Sequence, residues 1–250
     1  VSLWGIGDMQ DLARHPRNTA IKTFPRIIQS LKMLHTYGIP YNIITVITQD
    51  NAAHMAEFIR YFWDIHHADY IYADAPECER ICIPIQWNVF RPQTDEQMDE
   101  QTQWKNMIPG IRNGFREILR LIQNGVAIPP LDVFDKLRLF EPCISPCGTG
   151  YNYIAIGPEG FSSCHEQLSP APYTKQDTDR HTMLDLIQTH GPAPSINSSI
   201  PLHTIHDILR IHGGSGCPRQ QAQNSILNLY AEIYKELIAL EIYRKMQYQR

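Results

Sequence analysis

The stretch from Cys143 to His165 constrains the fold of this chain more than any other part of the sequence. It contains Cys143, Cys147 and Cys164, and a short alternating run at 151–156 is followed by a Gly-Pro-Glu-Gly turn at 157–160. An alternating run that ends in a glycine turn predicts a β-hairpin. A hairpin brings sulfur atoms that are distant in sequence close together, and thiolates gathered in this way are ligands for soft metal centres.

The six cysteines leave the redox state open between thiols and disulfides. A chain of 250 residues that is 43% hydrophobic can bury a core without covalent staples. Its first residues show neither the charged region nor the cleavage site of a secretory signal. We therefore expect reduced cysteines and a cytoplasmic protein, with a disulfide-bearing α/β protein as the weaker alternative.

The charge pattern argues against two classes of partner. The formal net charge is −4, and no block of Lys or Arg stands out, so we expect no nucleic-acid partner. No apolar run approaches the roughly 18 residues of a membrane span, so we expect no membrane partner either.

Strand-like and helical stretches alternate through the first half of the chain. The strand-like stretches are 1–5, 41–48 and 70–75, and helical spacing of apolar residues marks 23–37 and 55–63. This alternation predicts parallel βα units, in which binding residues lie at the carboxyl ends of the strands. We expect loops at 5–14 and irregular structure at 77–95, followed by a helix that runs to Gly125.

The composition changes near residue 130, where Pro129 and Pro130 suggest a linker. Cysteine, glycine and turn residues become frequent after it. The sequence therefore predicts one domain at 1–130 and a second at 131–250. The second domain would contain the hairpin, a glycine turn that presents Cys217, and a long helix from about residue 221.

The start of the chain resembles the fourth strand and following loop of radical S-adenosylmethionine enzymes. That family usually reads Ser-Leu-Asp-Gly, with an Arg twelve residues after the Ser, and this chain has Ser2-Leu-Trp-Gly and Arg14. Residues 37–51 resemble the helix–strand–helix of the same family, whose strand lines the cofactor pocket. The resemblance implies that Ser2, Arg14 and Val46 contact S-adenosylmethionine. Trp4 and Gln10 depart from the family pattern.

The second half resembles the auxiliary-cluster domain of such enzymes, called SPASM or, in its shorter form, twitch. The hairpin, the Gly-Gly-Ser-Gly-Cys-Pro element at 213–218 and the Tyr-Ala-Glu-Ile-Tyr-Lys helix at 230–235 follow the family order. The fold implied is α/β: the C-terminal part of a partial (β/α)6 TIM-type barrel, followed by a small cysteine-bearing SPASM-like α+β domain.

The cysteines of the second half suit one auxiliary [4Fe-4S] cluster. A full SPASM domain binds two clusters, but His212 and Ala231 stand near positions where the family has further cysteine ligands. A decayed domain with ordinary buried thiols is the alternative. Cys78 and Cys82 have no third partner at the family's spacing, so we interpret them as packing residues or surface thiols. The predicted ligands are Cys143, Cys147, Cys164 and Cys217.

The resemblance implies radical chemistry on a peptide or protein substrate. In the family, a reductant such as ferredoxin or flavodoxin supplies an electron, and a 5′-deoxyadenosyl radical abstracts hydrogen from the substrate. The family's catalytic Cys-x-x-x-Cys-x-x-Cys motif is absent from this sequence. We therefore expect the C-terminal portion of such an enzyme, inactive alone, rather than a degenerate homologue.

His165 and the overall function each have an alternative. In relatives an acidic residue at the place of His165 is a candidate general base, and an imidazole could do similar work near neutral pH. A hydrogen bond near the cluster or a solvent-facing ring is the alternative role for His165. The alternative function is a non-catalytic peptide-binding or zinc-binding partner protein derived from the same fold.

Overall fold

The computed structural model describes residues 1–13, 22–89, 100–131, 155–157, 160–162 and 224–248. Side chains are described at 1–13, 22–89, 105–131 and 233–248. The chain divides into two compact units. The first combines Val1–Asp135 with Asn228–Arg250, and the second is Lys136–Leu227.

Parallel strands form the centre of the first unit. Strand β1 (Ile43–Ile47) pairs with β2 (Ile85–Val89) in parallel, with Ile43 opposite Ile85. On the other edge of β1, Ser2 forms a parallel bridge to Ile44. The strands are parallel, as the alternation of strands and helices predicts, and the barrel stays a prediction.

Helices cover one face of this sheet and supply most of the core. The strongly amphipathic α3 (Met55–Trp63) packs against α4 (Glu100–Gln123). Phe58 and Trp63 of α3 contact Trp87 of β2, with ring centroids 5.5 and 6.3 Å apart. Short 3₁₀ turns occur at Ala52–His54 and Glu77–Glu79. The described helices are α1 (Asp8–Ala13), α2 (Thr23–Thr36), α3 (Met55–Trp63), α4 (Glu100–Gln123) and α5 (Asn224–Tyr248). None of these described helices is long and apolar enough to cross a bilayer.

The two faces of the sheet differ in burial. Ile43, Thr45 and Ile47 are at most 3% exposed, whereas Val46 is 36% exposed. Because side chains alternate between faces along a strand, one face packs against helices. We call the other the open face, and it carries half-buried or exposed side chains: Ser2, Ile44, Val46, Gln86 and Asn88.

The strand predicted at 70–75 is wrong, because this segment forms turns. The N–H of Ala73 donates to the Tyr70 carbonyl and that of Ala75 to the Tyr72 carbonyl, both at 2.9 Å. The Arg80 guanidinium donates to three carbonyls between residues 65 and 75, at 2.7 to 3.1 Å. Tyr70 and Tyr72 are buried by this loop packing, which explains why the segment has the apolar character of a strand.

Two elements lie where the sequence predicts irregular structure. Strand β2 falls within 77–95, and its Ile-Gln-Trp-Asn-Val sequence alternates buried and half-buried residues. Helix α1 falls within 5–14 and is only six residues long, too short for apolar periodicity to show. Helix α4 continues through Pro109.

The C-terminal helix belongs with the first unit, although the sequence analysis placed it in the second domain. Glu241 is 1% exposed and accepts the Leu131 N–H at 3.2 Å and two Arg244 N–H groups at 2.6 and 2.7 Å. Arg112 of α4 donates to Glu236 at 2.6 Å. These bonds attach α5 to the middle of α4 and to the segment that follows α4. The predicted boundary near residue 130 otherwise stays a prediction.

The predicted hairpin is confirmed. Strand β3 (Ala155–Gly157) pairs antiparallel with β4 (Gly160–Ser162), and Gly157 lies opposite Gly160. The turn therefore falls at 157–160, where the sequence places it. The three cysteines of the opening stretch lie outside the described residues.

Replacing Gly110 with alanine should destabilise the protein, although Gly→Ala inside a helix usually stabilises by about 1 kcal/mol. A Cβ at Gly110 would overlap the backbone carbonyl of Ala52, whereas one at Gly114 would meet the flexible Met55 side chain. We expect Gly110→Ala to lower the free energy of unfolding by about 1–3 kcal/mol. Urea denaturation measures this, with Gly114→Ala as the milder matched variant. A Gly110→Ala protein as stable as the parent would contradict this packing of α4.

Candidate functional site

A buried glutamine fixes the first parallel segment at its carboxyl end. Gln10 of α1 is 2% exposed, and its Oε1 accepts the backbone N–H of Trp4 at 2.6 Å and of Gly5 at 3.3 Å. Both are backbone groups that β1 does not pair. Gln10, which departs from the radical S-adenosylmethionine pattern, therefore has a structural role in this chain.

A buried asparagine joins this segment to β1. Asn51 is 8% exposed, and its Nδ2 donates to the carbonyls of Trp4 at 2.9 Å and Val46 at 2.8 Å. Its Oδ1 accepts the Thr48 N–H at 2.7 Å. One side chain thus satisfies three backbone groups at adjacent strand ends, which fixes the backbone where ligands bind in open parallel sheets.

A carboxylate from α1 takes up hydrogen bonds at the start of α2. Thr23 is the first residue of α2, and its N–H and hydroxyl both donate to Oδ1 of Asp11 on α1. The Phe24 N–H also approaches this oxygen, at 3.4 Å. The hydrogen bond from the Thr23 hydroxyl is the main cause that lowers the pKa of Asp11. A carboxylate from the preceding helix therefore takes the place of a local cap.

The structure places two predicted cofactor-binding residues on one face of the sheet. Ser2 lies beside Ile44 through its parallel bridge, and Val46 is the next residue of β1 on the same face. Both Ser2 and Val46 are exposed. The other predicted site residues lie outside the described residues and stay predictions: Arg14, His165, Cys143, Cys147, Cys164 and Cys217.

Asn88 is a candidate that the sequence analysis missed. It lies directly opposite Val46 in the register of β1 and β2, so its side chain belongs to the open face. The alternation from Ile85 to Val89 was the signal that could have identified this strand. The sequence alone could not show that Val46 and Asn88 are neighbours.

A cavity of about 310 Å³ lies on the other side of the sheet. Thr45, Ile47 and Trp87, which face the helices, contribute to its lining. Most of the lining is apolar, and its three titratable residues are Asp8, His54 and Glu57. The other apolar lining side chains include Met9, Leu12, Met55 and Phe58. This cavity is distinct from the open face and suits an apolar group.

Cys78 and Cys82 are free thiols in different surroundings. Cys78 is exposed, whereas the Cys82 Sγ donates to the Trp63 carbonyl at 3.3 Å. Burial, and to a smaller extent the Asp64 carboxylate, raises the pKa of the Cys82 thiol to about 12. Within the described part of the chain, no group of three or more His, Cys, Asp and Glu residues could hold a metal ion.

Comparison with known proteins adds no relative: no family model matches the chain, and no curated protein or solved structure matches it significantly. The family resemblance therefore rests on the sequence motifs.

Replacing Asn51 with leucine should destabilise the first unit strongly. Leucine has a similar size but leaves two carbonyls and one N–H of the strand ends without the partner that Asn51 supplies. Each unsatisfied buried polar group costs about 1–3 kcal/mol, so we expect a loss of about 3 kcal/mol or more in urea denaturation. Asn106→Leu, at an exposed position of α4, is the control. A loss below about 1 kcal/mol would contradict the role of Asn51 at the strand ends.

Iodoacetamide at pH 8 should alkylate Cys78 much faster than Cys82. The Cys82 thiol is largely buried, and with a pKa of about 12 only about one molecule in ten thousand carries the reactive thiolate at that pH. Peptide mapping by mass spectrometry gives both rates in one sample. Urea should remove the difference, and equal rates in the folded protein would contradict the buried position of Cys82.

Proposed function

We propose that this chain is the C-terminal portion of a radical S-adenosylmethionine enzyme that modifies a side chain of a peptide or protein, with one auxiliary [4Fe-4S] cluster. One observation carries the proposal. Ser2 and Val46, which the motifs assign to the cofactor, lie on the same face of a parallel sheet. Ligands of parallel sheets bind beyond the carboxyl ends of the strands, and Val46 lies one residue before the end of β1.

The residues of the open face suit an adenosyl group. Ile44 and Val46 offer apolar surface for the base, while Ser2 and Asn88 offer hydrogen-bonding groups beside them. Small-molecule sites commonly combine an apolar surface with a few placed polar groups. When bound, S-adenosylmethionine would supply the group that abstracts hydrogen from the substrate.

Each residue has a separate task in this proposal. Ser2 and Arg14 would bind the polar groups of the cofactor, and Val46 would pack against it. Gln10 holds the backbone of Trp4 in place, and Asn51 holds the backbone of Val46 and Thr48. His165 would take a proton from the substrate side chain.

The hairpin supports the second part of the proposal. Strands β3 and β4 form an antiparallel hairpin. This hairpin occurs at the place in the sequence where the family has its cluster-binding hairpin. Thiolates of Cys143, Cys147, Cys164 and Cys217 would hold the cluster, which would accept an electron or hold the substrate. A ferredoxin or flavodoxin would be the reductant, in the cytoplasm.

The cavity on the covered side of the sheet favours a second candidate function. Its mostly apolar lining, which includes Trp4, Phe58 and Trp87, suits an apolar side chain of a bound peptide. A non-catalytic peptide-binding protein, with zinc or no metal in place of the cluster, would need this cavity and not the open face. Metal content separates the two candidates.

Anaerobic reconstitution of the chain with iron and sulfide should give about four of each per molecule, as one [4Fe-4S] cluster requires. Cys164→Ser should lower the iron content by at least half, because a lost thiolate weakens the cluster. Cys78→Ser is the matched control, since Cys78 is exposed and has no role in the predicted site. We expect the control to bind as much iron as the parent chain.

Two results would contradict the cluster. One zinc ion or no metal in the parent chain would favour the peptide-binding alternative. An iron content that falls equally in Cys164→Ser and Cys78→Ser would mean that iron binds to thiols without a specific site.

A further inference from the structure

The cavity on the covered side of the sheet has a charged rim in solvent and an apolar floor in the core. The rim consists of lining side chains that are 84, 52 and 60% exposed: Asp8, His54 and Glu57. The floor consists of lining residues that are at most 5% exposed: Met55, Phe58 and Trp87. A ligand that enters from solvent therefore passes from charged to apolar surroundings.

The volume of the cavity limits what it can hold. It measures about 310 Å³, whereas an apolar cavity of about 150 Å³ is enough for benzene. Pockets for drug-sized molecules begin near 300 Å³, at roughly the size of this cavity. One aromatic ring or branched aliphatic group with a few further atoms fits, and the rest of a larger ligand would lie outside.

Carboxylates give the rim its charge. No Lys or Arg occurs among the described lining residues. Oε2 of Glu57 lies 3.3 Å from Nδ1 of His54, which carries a charge only when it is protonated. Arg60, one turn further along α3, lies 3.3 Å from Glu117 of α4 and is thus engaged elsewhere. With a neutral His54, the Glu57 side of the rim is negative and suits a cation.

Lys22 shows how the other side of the rim receives a cation. Its Nζ lies 2.7 Å from Oδ1 of Asp8 and 3.9 Å from Oδ2 of Asp11. The Lys22 and Asp8 side chains are 58 and 84% exposed, and such exposed pairs contribute little to stability. The ammonium group of a ligand can therefore replace Lys22 at Asp8 at low cost, which makes Lys22 a competitor of the ligand.

We propose that this cavity binds an amphipathic cation, whose apolar group packs on the floor while its ammonium or guanidinium group lies at the rim near Glu57 and Asp8. The site does not depend on the proposed function, because the cavity and the open face lie on opposite sides of the sheet. It goes beyond the second candidate function by requiring a positive charge on the ligand. A free aromatic amine and a peptide with a basic residue beside an apolar one share this chemistry.

Methyl NMR titration of the chain with phenethylamine tests the site. Phenethyl alcohol and hydrocinnamate are matched probes, since they carry the same ring with a neutral and a negative end. We expect phenethylamine to shift the methyl signals of Met9 and Met55, which line the cavity, and to bind about threefold or more tighter than the alcohol. Hydrocinnamate should bind more weakly than the alcohol. Equal affinities of the three probes, or no shift at either methionine, would overturn the proposal.

Two exposed substitutions should change the affinity for phenethylamine in opposite directions. Glu57→Gln should weaken binding about two- to fivefold, as the loss of an exposed charge pair does, and Lys22→Gln should strengthen it by freeing Asp8. Binding of phenethyl alcohol should stay the same in both variants. Glu79→Gln, at another exposed position, is the control and should bind as the parent does. Unchanged affinity in both variants, or weaker binding by Lys22→Gln, would overturn the role of the rim.

Two further comparisons identify the source of the ligand and separate this site from the proposed function. Tighter binding of the capped dipeptide acetyl-Phe-Lys-amide than of phenethylamine would assign a peptide, and weaker binding would assign a free amine. A chain that holds the iron–sulfur cluster without binding either probe would overturn this site alone. A chain that binds phenethylamine at the methionines but holds no cluster would support this site and overturn the proposed function alone.

Discussion

The hydrogen bonds of Asn51 are the interaction on which the rest of the site depends. Parallel strands leave unpaired backbone groups where they end, and burying such groups without partners is costly. Asn51 satisfies the carbonyls of Trp4 and Val46 and the N–H of Thr48, and Gln10 satisfies two further N–H groups. The positions of Val46 and Thr48 follow from this arrangement.

The two sides of the sheet offer surfaces of different chemistry. The covered side combines aromatic packing of Trp87 against α3 with an apolar cavity. The open face combines apolar Val46 with polar neighbours on both adjacent segments. Among the described residues, two buried side-chain oxygens near the carboxyl ends of β1 and β2 have no hydrogen-bond partner, Oγ1 of Thr48 and Oδ1 of Asn88. The open face is therefore the more polar of the two surfaces, and the cavity is the more apolar.

Local pattern in the sequence was enough to predict β1, α3 and the hairpin, because a β-branched run, apolar helical spacing and a glycine turn act over a few residues. It failed at 70–75, where Arg80 holds turns that bury Tyr70 and Tyr72. For the candidate site, the sequence motifs propose Ser2 and Val46, which stay predictions. Gln10, Asn51 and Asn88 were not, because their roles depend on partners brought close by folding.

Methyl NMR spectra of the chain during titration with 5′-methylthioadenosine test most directly whether the open face binds the ligand. Ile44 and Val46 lie on that face, while Ile43 and Ile47 of the same strand face the helices. We predict shifts of the Ile44 and Val46 methyl signals with little change at Ile43 and Ile47. Shifts confined to Ile47 and to Met55 of the cavity would contradict the account and place the ligand on the covered side.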